Sequence, residues 1–273
     1  MVAYFRKMNN LLMAGGAAAG LLFAVLFYRG NIITGTTDVV RVFYTALAVI
    51  IGILIGRITA ARLAVKKLQE LHAILYRDTK PQEFIDRFTP VLEQVPHELA
   101  EYADGAVKLA FAEEALGQFD EGLARLSSLR TEEMKLHALG ANALIRNQKG
   151  RLDLFSRRFE DLEEDLSSLR EYAALSEKRS PTLSKNLKEC IRLLEAGCRA
   201  LQGTAEAEDL KYLEEECSLS SNLIHKKEMQ LLIAEQYCAS GQKEKALPLL
   251  DEITERSFGL WSEQRAAELR GTN

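Results

Sequence analysis

The sequence predicts an all-α chain: a membrane-embedded pair of helices, then a larger body of stacked helix pairs. Three observations carry this. The 273 residues are 47% hydrophobic and 27% charged, while five prolines and seventeen glycines are too few for a fibrous or turn-dense β protein. Charge is split, because residues 1–56 hold Arg6, Lys7, Arg29 and Arg41 against Asp38, leaving −7 of the overall −4 on the remainder. After Arg57, Ala, Leu, Glu, Lys, Arg and Gln dominate at helical spacing, and alternating β-rich runs are absent. The small net charge gives no global drive towards nucleic acid.

The first element is a span over about residues 9–28. Met8 to Tyr28 contains no charged side chain, and about twenty apolar residues cross the hydrocarbon of a bilayer. Arg6 and Lys7 would also suit a signal peptide. The stretch ends, however, in Phe27-Tyr28-Arg29-Gly30, without a small-x-small cleavage site. The second span covers about 39–61. Its uncharged centre, Val42–Gly56, is short, but Arg41 and Arg57 flank it and can snorkel to the interfaces. The connection between them is short and turn-rich, which predicts an antiparallel hairpin. Arg6, Lys7, Arg57, Arg62, Lys66 and Lys67 outnumber the basic residues of the connecting loop. They place both termini in the cytoplasm, with residues 1–61 as an anchor in a bacterial inner (plasma) membrane. The same six side chains are candidates for contact with lipid headgroups. Gly16-Ala-Ala-Ala-Gly20 and Gly52-Ile-Leu-Ile-Gly56 are G-x-x-x-G patterns that let helices approach closely. Packing of the hairpin on itself is the expected use; homodimerisation or docking on another membrane protein is the alternative. Neither span carries a central ionisable group, which argues against a transporter.

The body, residues 62–273, starts as a continuation of the second span through Leu63, Leu68, Leu71, His72 and Leu75. Asp78-Thr-Lys-Pro81 breaks that helix and starts another, which Pro90 and Pro96 then limit. Beyond Pro96, glycine is followed by apolar residues at +9 and +12. Gly117 precedes Leu126 and Leu129, Gly150 precedes Phe159 and Leu162, and Gly241 precedes Leu250 and Ile253. Each glycine is expected to end the first helix of a pair. The interval from Gly117 to Gly150 is the length of a helix-turn-helix repeat. Cys190, Cys198, Cys217 and Cys238 lack C-x-x-C spacing and are expected to be free, buried thiols of a reducing compartment.

Leu109-Ala110…Gly117-Gln-Phe119…Leu126 and Ala234…Tyr237…Gly241-Gln-Lys-Glu-Lys-Ala246…Leu250 resemble tetratricopeptide repeats. The resemblance covers about 99–130 and 227–256, with a weaker match over 132–166. It implies small residues at the helix crossings, here Ala110 with Gly122 and Ala234 with Ala246. The departures are Glu113 in place of an aromatic, no tryptophan at the usual position and no closing proline. The resemblance also implies a solenoid whose groove is lined by first-helix positions. Those are Asp104, Val107, Phe111 and Glu114, then His137 and Asn147, then Glu228 and Glu235. That set is acidic with an aromatic anchor, and would favour a basic or amphipathic protein segment.

Between about 151 and 202 the pattern changes to a long helical hairpin. Leu152, Phe155, Phe159, Leu162, Leu166, Leu169 and Ala173 form a heptad seam. Ser180-Pro181 caps the return, whose stripe is Leu183, Leu187, Ile191, Leu194, Cys198 and Leu201. Pairing within the chain is expected, and an intermolecular coiled coil is the alternative. A helix at about 258–270 is expected to cap the stack, with Trp261 covering its open end.

Chemistry-bearing motifs are missing from the sequence. There is no phosphate-binding glycine loop, and His72, His97, His137 and His225 stand apart without ligand spacing. Glu160-Asp-Leu-Glu-Glu-Asp165 reads as a solvated helix face. No cofactor, metal or catalytic group is expected. The sequence predicts a membrane-anchored scaffold that recruits a protein partner through a helical groove; the alternative is a structural subunit assembling through its hairpin.

Overall fold

The computed structural model describes residues 5–29, 38–129 and 138–271. Within them lie twelve helices and no strand: α1 (Arg6–Arg29), α2 (Asp38–Tyr76), α3 (Pro81–Leu92), α4 (Ala100–Ala115), α5 (Phe119–Ser127), α6 (Ala138–Phe155), α7 (Phe159–Ser176), α8 (Pro181–Leu201), α9 (Ala207–Leu219), α10 (Leu223–Ala239), α11 (Lys243–Thr254) and α12 (Trp261–Gly271). The chain forms two compact units, residues 1–71 with 90–96, and residues 72–89 with 97–273.

The stretches Arg6–Leu26, in the first unit, and Val42–Tyr76, which lies in it up to Leu71, are long and apolar enough to cross a membrane. Their sides are bare: Leu22 is 63% exposed, Val42 69% and Ile55 60%. A core helix of a water-soluble protein would cover such side chains. What the two helices do cover is a seam of small residues. A methyl group on Gly16 would overlap the Gly52 carbonyl, and one on Gly52 would overlap that of Gly16. A methyl on Gly20 would lie 2.5 Å from the Ala48 oxygen, and one on Gly56 would strike Leu12. Contact positions therefore fall along α2 as they rise along α1. All four glycines are used between these two helices.

In the second unit, four helix ends share one hydrogen-bond pattern. Gln118, Arg158, Thr204 and Gln242 each donate their backbone N–H to the carbonyl five residues earlier, over 2.8–2.9 Å. The residue before each has positive φ: Gly117 (76°), Arg157 (60°), Gly203 (74°) and Gly241 (74°). This is the Schellman helix stop. Gly117 and Gly241 act as expected, but Gly150 does not. It lies inside α6, where a Cβ would come 3.0 Å from Leu194 Cδ1. Neighbouring side chains pack close to that glycine, and the turn falls to Arg157 instead. The seam from Leu152 to Ala173 is accordingly split between α6 and α7. Leu162, Leu166 and Leu169 meet Leu187, Ile191 and Leu194 in one core, so α8 returns against α7 within the chain. Pro181 opens α8 as expected, although the Ser180 side chain makes no capping bond. Pro90 does not end α3, which continues to Leu92.

The small residues sit at close approaches. A Cβ on Gly122 would lie 3.5 Å from the Ala110 oxygen, and Ala234 shares a core with Ala246. Glu113 is buried and held by Arg125 of α5 through contacts of 2.5–3.0 Å, so an ion pair stands where an aromatic was expected. Trp261 does not cover an open end. It packs edge-on against Phe119 and Phe155, with ring centroids 5.2 and 5.5 Å away, over the bare backbone of Gly117. α12 thus reaches α4 as well as α10 and α11.

Gly52→Leu should drive α1 and α2 apart towards the 8–10 Å axial spacing of ordinary helix pairs. Spin labels at Leu11 and Ile58, in a chain freed of its native cysteines, would show a longer and broader distance distribution. An unaltered distribution would contradict the seam.

Candidate functional site

A pocket of about 360 Å³ opens in the second unit, lined by Tyr76, Val107, Lys108, Phe111, Asn147, Gln148, Arg151, Ser220, Asn222 and His225. Local sequence explains how the side chains converge. Val107, Lys108 and Phe111 on α4 have the same i, i+1, i+4 spacing as Asn147, Gln148 and Arg151 on α6, which puts each trio on one helix face. The third wall is the start of α10. Asn222 caps it, accepting from the Ile224 N–H at 3.0 Å, while Ser220 Oγ accepts from the Asn222 N–H at 3.1 Å. Tyr76 stacks on Phe111 with centroids 5.9 Å apart. Beside the polar rim, Leu219 is 80% exposed.

Beneath the pocket lies a buried charge cluster. Arg151 Nη2 donates to Glu114 Oε1 at 2.6 Å and to Glu228 Oε2 at 2.7 Å, and Gln148 donates to Glu114. The guanidinium also lies 5.5 Å from the Phe111 ring centre and 5.7 Å from that of Phe155. Burial alone would lower the Arg151 pKa, but the two carboxylates outweigh it and hold the group charged. Burial raises Glu114, with Arg151 opposing. Burial likewise pushes Glu228 up to about 8, against the pull of Arg151 and with the help of Glu114. Both shifts favour keeping a proton on the Glu114–Glu228 pair beside the charged guanidinium. His225, whose Nδ1 is 3.8 Å from Glu228 Oε2, is lowered to about 4 by burial and by Arg151. Its imidazole is uncharged at neutral pH. Lys108, at the rim, is paired with Asp104.

The structure gathers some predicted residues and separates others. Val107, Phe111 and Asn147 line the pocket. Asp104 neutralises Lys108 beside it, while Glu114 and Glu228 form the floor cluster. Glu235 is elsewhere, bound to Arg157 and Arg265 at 2.8 Å each. His137 lies outside the described residues. The carboxylates expected to make the groove acidic are engaged within the chain, Glu114, Glu228 and Glu235 by arginines and Asp104 by Lys108 of its own helix. Sequence reasoning missed Arg151 and His225. The i, i+4 relation of Arg151 to Asn147 was visible, but its partners lie 37 and 77 residues away.

A second buried cluster corrects the reading of residues 160–165. Asp165 is buried and takes Arg146 Nη1 at 2.7 Å, whereas Glu160, Asp161, Glu163 and Glu164 are exposed. Burial, with Asp165 and Asp161 adding, pushes Asp153 up to about 7. The four cysteines are unpaired and half-buried, and burial raises each thiol. Among the described residues, no group of three or more His, Cys, Asp or Glu is arranged to hold a metal ion. The pocket can therefore offer stacking faces, amides, a neutral imidazole and compensated charges. Comparison with protein-family models, curated proteins and solved structures finds no match.

Glu228→Gln tests the shared proton. The folded carboxyl titrates near 8 and an unfolded one near 4.3, so the native state holds the extra proton between these values. Stability from this group is complete below the lower value and is lost as pH rises through the upper one. In melts of the detergent-solubilised chain followed by circular dichroism, the variant should gain on the wild type as pH rises from 6 to 9. A constant difference would exclude the assignment.

Proposed function

We propose that this chain is a membrane-anchored adaptor. Its first unit is an antiparallel helical hairpin embedded in the bilayer, with both termini on the cytoplasmic side. Its second unit is a tetratricopeptide-like array of helix pairs that docks a segment of a protein partner. The observation that carries this reading is the pocket between α4, α6 and the start of α10. Its aromatic and amide lining is open while the charges around it are spent within the chain. The exposed apolar sides of α1 and α2 support the anchor. Confinement near a bilayer raises the effective concentration of partners without new contacts.

The pocket narrows the chemistry of the docked segment. With Glu114, Glu228 and Glu235 paired internally, a basic segment finds no free carboxylate among them. A bulky apolar or aromatic side chain fits better, resting on Phe111 and Tyr76 and extending to Leu219. Asn147 and Gln148 then serve the segment's backbone amides. Buried aromatic anchors of this kind dominate binding at protein interfaces.

A photo-crosslinking residue at Asn147, in the full-length chain in its native membrane, should capture a discrete partner. The same residue at exposed Glu164 should not. Phe111→Ala should lower that capture about tenfold or more, the effect of losing a central aromatic contact. Capture that is equal at both positions, or indifferent to Phe111, would remove the pocket from the proposal.

A further inference from the structure

We infer that the end of the first unit where α1 begins binds anionic phospholipid headgroups through six cationic side chains. The glycine seam supplies the register. Leu12 lies against Gly56, Gly16 against Gly52 and Gly20 against Ala48. Continued towards the start of α1, that register sets Arg6 level with Arg62. Arg6 and Lys7 on α1 therefore share one end with Arg57, Arg62, Lys66 and Lys67 on α2. All six are exposed. On α2 they span about 15 Å at 1.5 Å per residue.

Two features mark these cations. The first is that, among the described residues, five of the six have no carboxylate within ion-pair reach. Among the described residues, the one carboxylate within ion-pair reach of any of them is Glu70, 4.0 Å from Lys66 with both side chains exposed. In the second unit, by contrast, Arg125, Arg146, Arg151, Arg157, Arg199 and Arg265 are all engaged by carboxylates. The second is their setting. Ala60, Ala64 and Leu68 mark the buried line of α2, and the 100° step per residue turns Arg62 and Lys66 to the opposite side. Ile55, Ile58 and Leu63 are exposed among and just before the cations. Aliphatic surface therefore meets positive charge at one level, as it does where hydrocarbon gives way to phosphate.

The chemistry recognised is a phosphate monoanion. A lipid is the fitting source, because the cations are spread around two helices beside apolar surface and do not converge on one small ion. This inference rests on reading the first unit as lipid-embedded.

The test uses full-length protein in neutral detergent, mixed with equal amounts of phosphatidylglycerol and phosphatidylcholine. Retained lipid is then measured by native mass spectrometry. A contribution of about fivefold per well-placed cation predicts that phosphatidylglycerol is retained at least fivefold over phosphatidylcholine. That preference should fall towards unity in Arg57→Gln/Arg62→Gln/Lys66→Gln/Lys67→Gln and persist in the control Lys185→Gln/Lys211→Gln. Equal retention of the two lipids by the wild type, or an unchanged preference in the quadruple variant, would overturn the headgroup assignment alone. Displacement of the lipid by millimolar inorganic phosphate would identify a free-phosphate site and overturn the lipid source. A chain that stays monodisperse without detergent and retains neither lipid would overturn the membrane reading beneath it.

Discussion

The guanidinium of Arg151 joins three helices that the chain reaches at widely separated times. From α6 it bonds Glu114 on α4 and Glu228 on α10, partners 37 and 77 residues distant. Desolvation offsets much of the attraction in such buried clusters, yet removing one partner commonly costs about 3–5 kcal/mol. Its chief effect is therefore geometric. A different sliding of α6 against α4 or α10 would leave a carboxylate or the guanidinium buried alone. The helices accordingly have one low-energy register, and the pocket above Arg151 exists because that register holds. The faces carrying Phe111 and Asn147 are aimed by the same contacts that neutralise the floor.

The first unit is specified by an absence of side chain. Two helices cross where Gly16 and Gly52 present bare backbone to one another, so no larger residue fits without separating them. In a lipid environment, burying leucine gains little over leaving it exposed, and close van der Waals approach takes over that role. Leucines and isoleucines stay exposed on the outer sides of this pair. One unit is thus held in register by charges that would be intolerable unpaired, the other by contacts that a single methyl group would destroy.

Much of this was legible locally. The paired G-x-x-x-G patterns, the breaks at Asp78–Pro81 and Ser180–Pro181, and the turns at Gly117 and Gly241 all rest on interactions within a few residues or on long apolar runs. The failures share a cause. Gly150 looked like a turn because glycine favours left-handed backbone, but it lies inside α6, with Leu194 of another helix packed close against it. Arg157 adopts positive φ despite its Cβ, because the Schellman bonds of Arg157 and Arg158 and the ion pair to Glu235 fix it there. The candidate groove was read as acidic because residue type reveals charge, whereas pairing over tens of residues decides whether that charge is available. Val107, Phe111 and Asn147 were named because the tetratricopeptide resemblance implies groove-lining positions on first helices, and these three line the pocket.

The distribution of unspent charge then separates two modes of recognition. Around the pocket, Arg151 is balanced by Glu114 and Glu228, Lys108 by Asp104, and His225 is neutral. A ligand approaching it gains little from Coulomb steering, so selectivity must come from shape, stacking and hydrogen bonds that leave no buried group unpaired. At the start of α1 the reverse holds: exposed cations, with Glu70 beside Lys66 as the one carboxylate in reach among the described residues, attract over a Debye length but discriminate poorly among anions. Weak, long-range attraction suits a lipid surface, which is abundant and need be recognised only by its charge. Short-range complementarity suits a protein segment, which must be told from many others. On the proposed function, each kind of surface falls on a different unit, and the ion pairs inside the second unit leave its pocket little net charge to attract ions.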